Sequence, residues 1–237
     1  NKDWQNAKSY GDAYVRDTPG HVKGRFVRAA VFESEGRLRE AEQEYRLAVM
    51  LSPNLPHTHS ALGVFLYRQK RYQEALNSIQ RALELSNRNV EAFVVMGKLL
   101  NLRGDHQSAL EYLLKAAELS PDNIPLYNTL ATTLQLLGRH HEAIKYLQRI
   151  LELEPDTVDA HLNLATSLQA TNQDPTEHIM KAIRLDPSYG PARYHYGSLL
   201  LKRGDVQKAL QEFLMAMNRG VDAPELHNNL GVIYAQQ

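Results

Sequence analysis

Apolar residues along the chain return at helical spacing, and one arrangement of large, small and polar positions recurs about every 34 residues. Proline sets the phase. Pro53, Pro121, Pro155 and Pro187 each follow a helical stretch with a similar ending: Val49-Met50-Leu51-Ser52, Glu118-Leu119-Ser120, Leu151-Glu152-Leu153-Glu154 and Ile183-Arg184-Leu185-Asp186. Pro121 and Pro155 are 34 residues apart, Pro53 and Pro121 twice that, and Asn87 takes the intervening place. This phase predicts full units at 22–55, 56–89, 90–123, 124–157, 158–189 and 190–223, each of two helices, and the opening of a seventh at 224–237.

Small residues recur where paired helices must approach closely. They are Ala29, Gly63, Gly97, Ala131, Ala165, Gly197 and Gly231 in the first helices, and Ala41, Ala75, Ala109, Ala143 and Ala209 in the second. A further set, Ala48, Ala82, Ala116, Ala182 and Ala216, lies later in the second helices, with Ile150 the bulky exception. Large residues fill what these leave: Leu62, Leu130, Leu164 and Leu230 one position before the small residue, and Tyr45, Ile79, Leu113, Leu147, Ile179 and Phe213 opposite. Gly36, Gly104, Gly138 and Gly204 stand where a first helix should stop in a left-handed residue, a place taken by Asn172 in the fifth unit and, less comfortably, by Lys70 in the second.

These positions resemble the tetratricopeptide repeat over residues 22–237. The resemblance implies an all-α fold: a right-handed α-solenoid of antiparallel helix pairs, with the first helices lining a concave groove. Stacking is required in any case, because a single pair cannot bury its apolar face alone. Trp4, Ala7, Tyr10 and Tyr14 within 1–21 offer a candidate second helix of a preceding unit, and the open seventh unit predicts that repeats continue in a longer parent chain. The fifth unit is two residues short, with Pro175 in place of the usual Ala. Asp174-Pro175-Thr176-Glu177 reads as the start of a shortened second helix with Asp174 as its cap, accompanied by a local change in superhelical pitch.

At about 100° per residue, positions 4, 7, 8 and 11 of a first helix face the core, and positions 2, 5, 9, 12 and 13 point nearly opposite. The groove residues predicted on that basis are Phe26, Tyr67, Arg68, Val94, Lys98, Asn101, Asn128, Thr132, Gln135, Leu162, Thr166, Gln169, Tyr194 and Ser198. Lys23, Glu33, His57, Ser60, Val64, Glu91, Asp159, Leu201 and Lys202 share the same positions. Amides and hydroxyls among apolar and aromatic points suit an extended or helical peptide. Two specialised grooves known in the family are not found. The Lys–Asn pair one turn apart that grips a C-terminal carboxylate is replaced by Phe26 and Ala30, Ser60 and Val64, or Val94 and Lys98. The asparagine ladder of sugar-transferring members is matched only by Asn163 and Asn229, and is broken by Ala61, Val95, Thr129 and His195.

Composition narrows the function further. Lys plus Arg and Asp plus Glu are both 27, so nothing in the whole-chain charge draws it to nucleic acid or anionic lipid. The absence of cysteine removes thiolate metal sites and thiol nucleophiles but leaves the compartment undecided. No apolar run reaches the roughly 20 residues of a membrane span. Arg103-Gly104-Asp105 and Arg203-Gly204-Asp205 imitate adhesion tripeptides but fall at interhelix turns, where the glycine is a helix stop. His57 and His59 are too close in sequence to share a metal on a helix, and His106 and His140 share one repeat position, which favours packing. No phosphate loop or nucleophile–base arrangement emerges, so no catalytic, cofactor or metal residues are assigned.

The expectation is therefore a non-catalytic scaffold binding a protein or peptide partner, without nucleic acid or direct membrane insertion. The open C-terminal repeat leaves homo-oligomerisation as a further mode. The alternative is a substrate-selecting or regulatory arm of a larger enzyme, for example a glycosyltransferase, with its catalytic domain outside this segment.

Overall fold

The structure is a computed structural model, described for residues 21–235; the candidate helix carrying Trp4, Ala7, Tyr10 and Tyr14 lies outside them. Among the described residues there are thirteen helices and no strand. They are α1 (Val22–Ser34), α2 (Leu38–Leu51), α3 (Pro56–Arg68), α4 (Tyr72–Leu85), α5 (Val90–Leu102), α6 (His106–Leu119), α7 (Ile124–Leu136), α8 (His140–Leu153), α9 (Val158–Ala170), α10 (Thr176–Leu185), α11 (Gly190–Lys202), α12 (Val206–Asn218) and α13 (Pro224–Ala235). The chain divides into two compact units, one ending at Pro121 and the other beginning at Asp122. In each, consecutive helices pack as antiparallel pairs and each pair packs against the next, the architecture of an α-solenoid.

Short turns enforce the pairing. Gly36, Gly104, Gly138 and Gly204 all have positive φ, as do Lys70 and Asn172 at the corresponding turns. In each case the residue's amide and the next one bond back to the last turn of the first helix, as Gly104 N to Asn101 O and Asp105 N to Leu100 O, both 3.0 Å. The second helix then starts two residues on, except after Asn172, where it opens only at Thr176. Both imitations of an adhesion tripeptide are such turns; Asp105 accepts from the Ser108 amide at 3.1 Å as a helix cap.

The small residues permit contact between the pairs' helices at close range. Ala29, Ala131, Ala165 and the alanines of both second-helix sets are essentially inaccessible. A Cβ on Gly97 would sit 2.6 Å from Leu113 Cγ, on Gly63 2.7 Å from Ile79, and on Gly197 2.8 Å from Phe213. Each large second-helix side chain thus fills a slot that only the missing Cβ leaves open. Gly231 on α13 has nothing within 4 Å of the same point.

The fifth pair differs as its sequence predicts in one respect and departs in another. α10 has 10 residues against 13 or 14 in the other second helices. Asp174 accepts the Thr176 amide at 3.0 Å, but Pro175 lies before the first helical residue rather than at it, so the helix opens at Thr176. Its apolar contacts form two small clusters, Leu162 with Ala182 and Ala192, and Ala165 with Ile179 and Leu199.

Gly97→Val should lower unfolding stability by about 1–3 kcal/mol through overpacking against Leu113. Gly231→Ala, with open space around it, should instead stabilise by up to about 1 kcal/mol through helix propensity alone. Urea unfolding of the two variants checks the contrast, and equal losses would contradict it.

Candidate partner-binding faces

In the first unit, the outward row of α1, α3 and α5 combines rings, cations and exposed apolar groups. The Phe26 ring meets His57 edge-on at 4.9 Å and leans on Tyr45 at 6.4 Å, so it is half-buried and held in place. Tyr67 packs at 5.8 Å from Tyr72, and burial raises its hydroxyl pKa. Arg68 pairs with Glu33 at 3.3 Å, and Glu33 also accepts from the Tyr45 hydroxyl at 3.1 Å. Asn101 Oδ1 is 3.0 Å from His106 Nδ1. Val94 and Lys98, one turn apart on α5, are both half-buried. Beside them Leu102, the thirteenth residue of α5 and not among the groove residues expected from helical angle, is 56% exposed.

The corresponding row of the second unit has more of its polar groups engaged. Gln135 Nε2 donates to Asn163 O and Ser167 Oγ, both at 2.8 Å, tying α7 to α9. The hydroxyls of Thr132, Thr166 and Ser198 donate to carbonyls one turn earlier in their own helices, at 3.0, 3.1 and 3.0 Å. Asn128 is half-buried, and its Oδ1 has no hydrogen-bond partner. Tyr194 rests on Phe213 at 5.9 Å. Gln169 borders a shallow cavity of about 370 Å³ with Asn172, Gln173, Pro175 and Lys202. Leu136 is 54% exposed at the place that Leu102 holds in the first unit.

Leu162 requires a correction. It is only 7% exposed and packs with Ala182 and Ala192, so it is a core residue between successive pairs rather than an open groove contact. Ser60 and Val64 are buried for the same reason: a first helix touches the next first helix as well as its own partner. Leu162→Ala should cost about 2–5 kcal/mol of stability in chemical denaturation, the cost of a core truncation. A change below about 0.5 kcal/mol would return it to the surface class.

A second set of contacts went unread in the sequence because its chemistry changes from pair to pair. The fourth residue of a first helix meets one fixed place on the second helix: Arg25 with Glu44 at 3.0 Å, and Arg193 with Glu212 at 3.0 Å. Phe93 meets Tyr112 with ring centres 6.1 Å apart, Tyr127 meets Tyr146 at 5.4 Å, and His161 stacks on His178 at 5.2 Å. Reading those two columns together along the repeat would have found them. His59 and His161 also reach the carbonyl of the linker proline ahead, Pro53 at 2.8 Å and Pro155 at 2.9 Å. Burial, then the neighbouring His161, hold the His178 pKa below its ordinary value, with Glu177 opposing. Elsewhere in this unit Tyr189 donates to Asp159 at 2.7 Å, and that carboxylate, with burial, pushes its pKa up to about 12. Among the described residues, no three His, Cys, Asp or Glu side chains are grouped so as to hold a metal ion, and no helix is long and apolar enough to cross a membrane.

Two family models, both described as tetratricopeptide repeat, match residues 54–122 and 100–165. The chain is a tetratricopeptide-repeat protein. Solved structures agree in fold with this repeat protein. YrrB, described as a TPR protein with an unusual peptide-binding site, is 21% identical with a TM-score of 0.63, over 77% of this chain and 95% of its own. The Cut9–Hcn1 hetero-tetramer of APC/C aligns at 12% identity with a TM-score of 0.81, over 97% of this chain; the match spans 46% of that longer chain. MamA from Desulfovibrio magneticus RS-1 is 20% identical with a TM-score of 0.62, over 70% of this chain and 96% of its own. No curated protein matches the sequence.

Proposed function

We propose that this tetratricopeptide-repeat protein is a non-catalytic scaffold that recruits a partner polypeptide, and that the first-helix face of its first unit is the recruiting surface. The observation that carries this reading is the contrast between the two rows. Thr132, Gln135, Thr166 and Ser198 spend their donors on the protein itself, whereas Phe26, Tyr67 and Val94 present half-buried apolar surface beside Lys98 and the Arg68–Glu33 ion pair, with Leu102 exposed next to them as Leu136 is in the second unit. Rigid rings flanked by cations favour a segment with apolar side chains and at least one carboxylate. YrrB, a TPR protein with an unusual peptide-binding site, supports the same class of ligand.

Selection of a random peptide library on the whole chain tests the proposal, with each recovered peptide measured against wild type and Val94→Arg. Recovered peptides should be apolar and acidic. Their affinity should fall about tenfold or more in the variant, equivalent to about 1.4 kcal/mol, while circular dichroism stays unchanged. Peptides that bind both proteins equally would remove this face from the account.

A further inference from the structure

Five helix pairs show a contact at the same place, and one of them is built from groups that change charge near neutrality. Two of the contacts are Arg–Glu ion pairs, and two are aromatic, Phe–Tyr and Tyr–Tyr. Only His161–His178 among these five contacts is built from imidazoles, the side chain whose charge can change near neutrality.

The hydrogen bonds fix its protonation. Pro155 O only accepts, so His161 Nε2 carries a hydrogen and donates to it at 2.9 Å. In the neutral ring His161 Nδ1 is then an acceptor, and His178 Nδ1, 3.0 Å away, must donate. One added proton can sit on His178 Nε2 without breaking this bond, but it charges a half-buried ring stacked on a buried one. A second proton must go to His161 Nδ1. Two N–H groups would then oppose each other across 3.0 Å between two cationic rings.

The surroundings decide how far these charges are compensated. On α10, Glu177 favours a cation at His178, and Asp156 of the linker, which pairs with Lys181 at 2.8 Å, also interacts electrostatically with His161. From α8, Glu152 lines the cleft in which His178 ends, together with Gln148, Leu151 and Leu164, but is already paired with Arg149 at 2.7 Å. On α9, Asp159 accepts from Tyr189. α7 carries no charged residue, and Arg193 of α11 is paired with Glu212 of α12. No carboxylate is therefore directly bonded to either imidazole.

We propose that the His161–His178 contact is an acid-sensitive latch that holds α10 onto α9 at neutral pH and releases it on acidification. The location suits release. α10 is the shortest helix, and the only side chains it buries fully are Ile179 and Ala182, whereas α8 buries Ala143, Ile144, Leu147 and Ile150. Once the imidazoles repel, the apolar contact holding α10 is that of Ile179, Ala182 and the half-buried Ile183. The sign follows from the depressed pKa of His178: the neutral pair stabilises the fold above the ordinary histidine value of 6.5, and this stability is lost as pH falls below it. The inference concerns this helix alone and is independent of what the protein binds.

Hydrogen exchange followed by mass spectrometry on the whole chain, at about pH 7.5 and about pH 5.5 and corrected for intrinsic exchange chemistry, tests the latch. Protection of the α10 segment should fall about tenfold on acidification, while that of α8 changes less than about twofold. The double variant His161→Phe, His178→Tyr copies the Phe93–Tyr112 contact and should abolish the α10 response. His178→Tyr alone, which cannot form the dication, should do the same where the double variant fails to fold. An α10 response no larger than that of α8 in the wild type, or an undiminished response in a folded variant, would overturn the proposal.

Discussion

Everything in this protein depends on the fit of a bulky second-helix side chain into a slot with no, or almost no, side chain on the first helix. Ile79, Leu113 and Phe213 sit against Gly63, Gly97 and Gly197 at distances that leave no room for a methyl group. At Ala29, Ala131 and Ala165 the methyl itself is sealed from solvent. This contact brings the two backbones of a pair close and fixes their rotation about their own axes. The rotation decides which residues of a first helix turn outward. The outward face proposed to recruit a partner is thus a consequence of packing on the opposite side of the same helix.

The repeat's phase and turns were legible because their physical demands admit few residues. A left-handed residue ending the first helix calls for Gly or Asn, and a close helix crossing calls for Gly or Ala, so identity alone reveals the position. Lys70 shows that the demand is energetic rather than absolute, since it adopts φ 59° in a turn otherwise like that of Gly104. The shortened α10 was readable from the two-residue deletion and Pro175 for a similar reason: proline cannot donate within a helical ladder.

The outward face was legible only in part. Helical angle separates a first helix into an inner and an outer side, but a stacked helix has neighbours in two directions. Leu162 and Gln135 show the consequence. Both fall on the outer side by angle, yet Leu162 is buried against Ala182 and Ala192, and Gln135 is spent on Asn163 and Ser167. Which residues at those positions stay open depends on the side chains of the next pair, a property no single unit encodes. The histidine contact eluded the sequence because the fixed element is the location of the pair, while its chemistry alternates among ion pair, aromatic pair and imidazole pair.

On the reading proposed above, the outward row of α1, α3 and α5 carries the partner, while the second helices serve as its support. Amide and methyl chemical-shift mapping of the isotopically labelled chain, titrated with a peptide recovered by selection, addresses this most directly. The largest changes should fall at Phe26, Tyr67, Val94, Lys98 and Leu102, with α2, α4 and α6 left nearly unmoved. Changes concentrated on the second helices, or on α13 around Gly231, would contradict it.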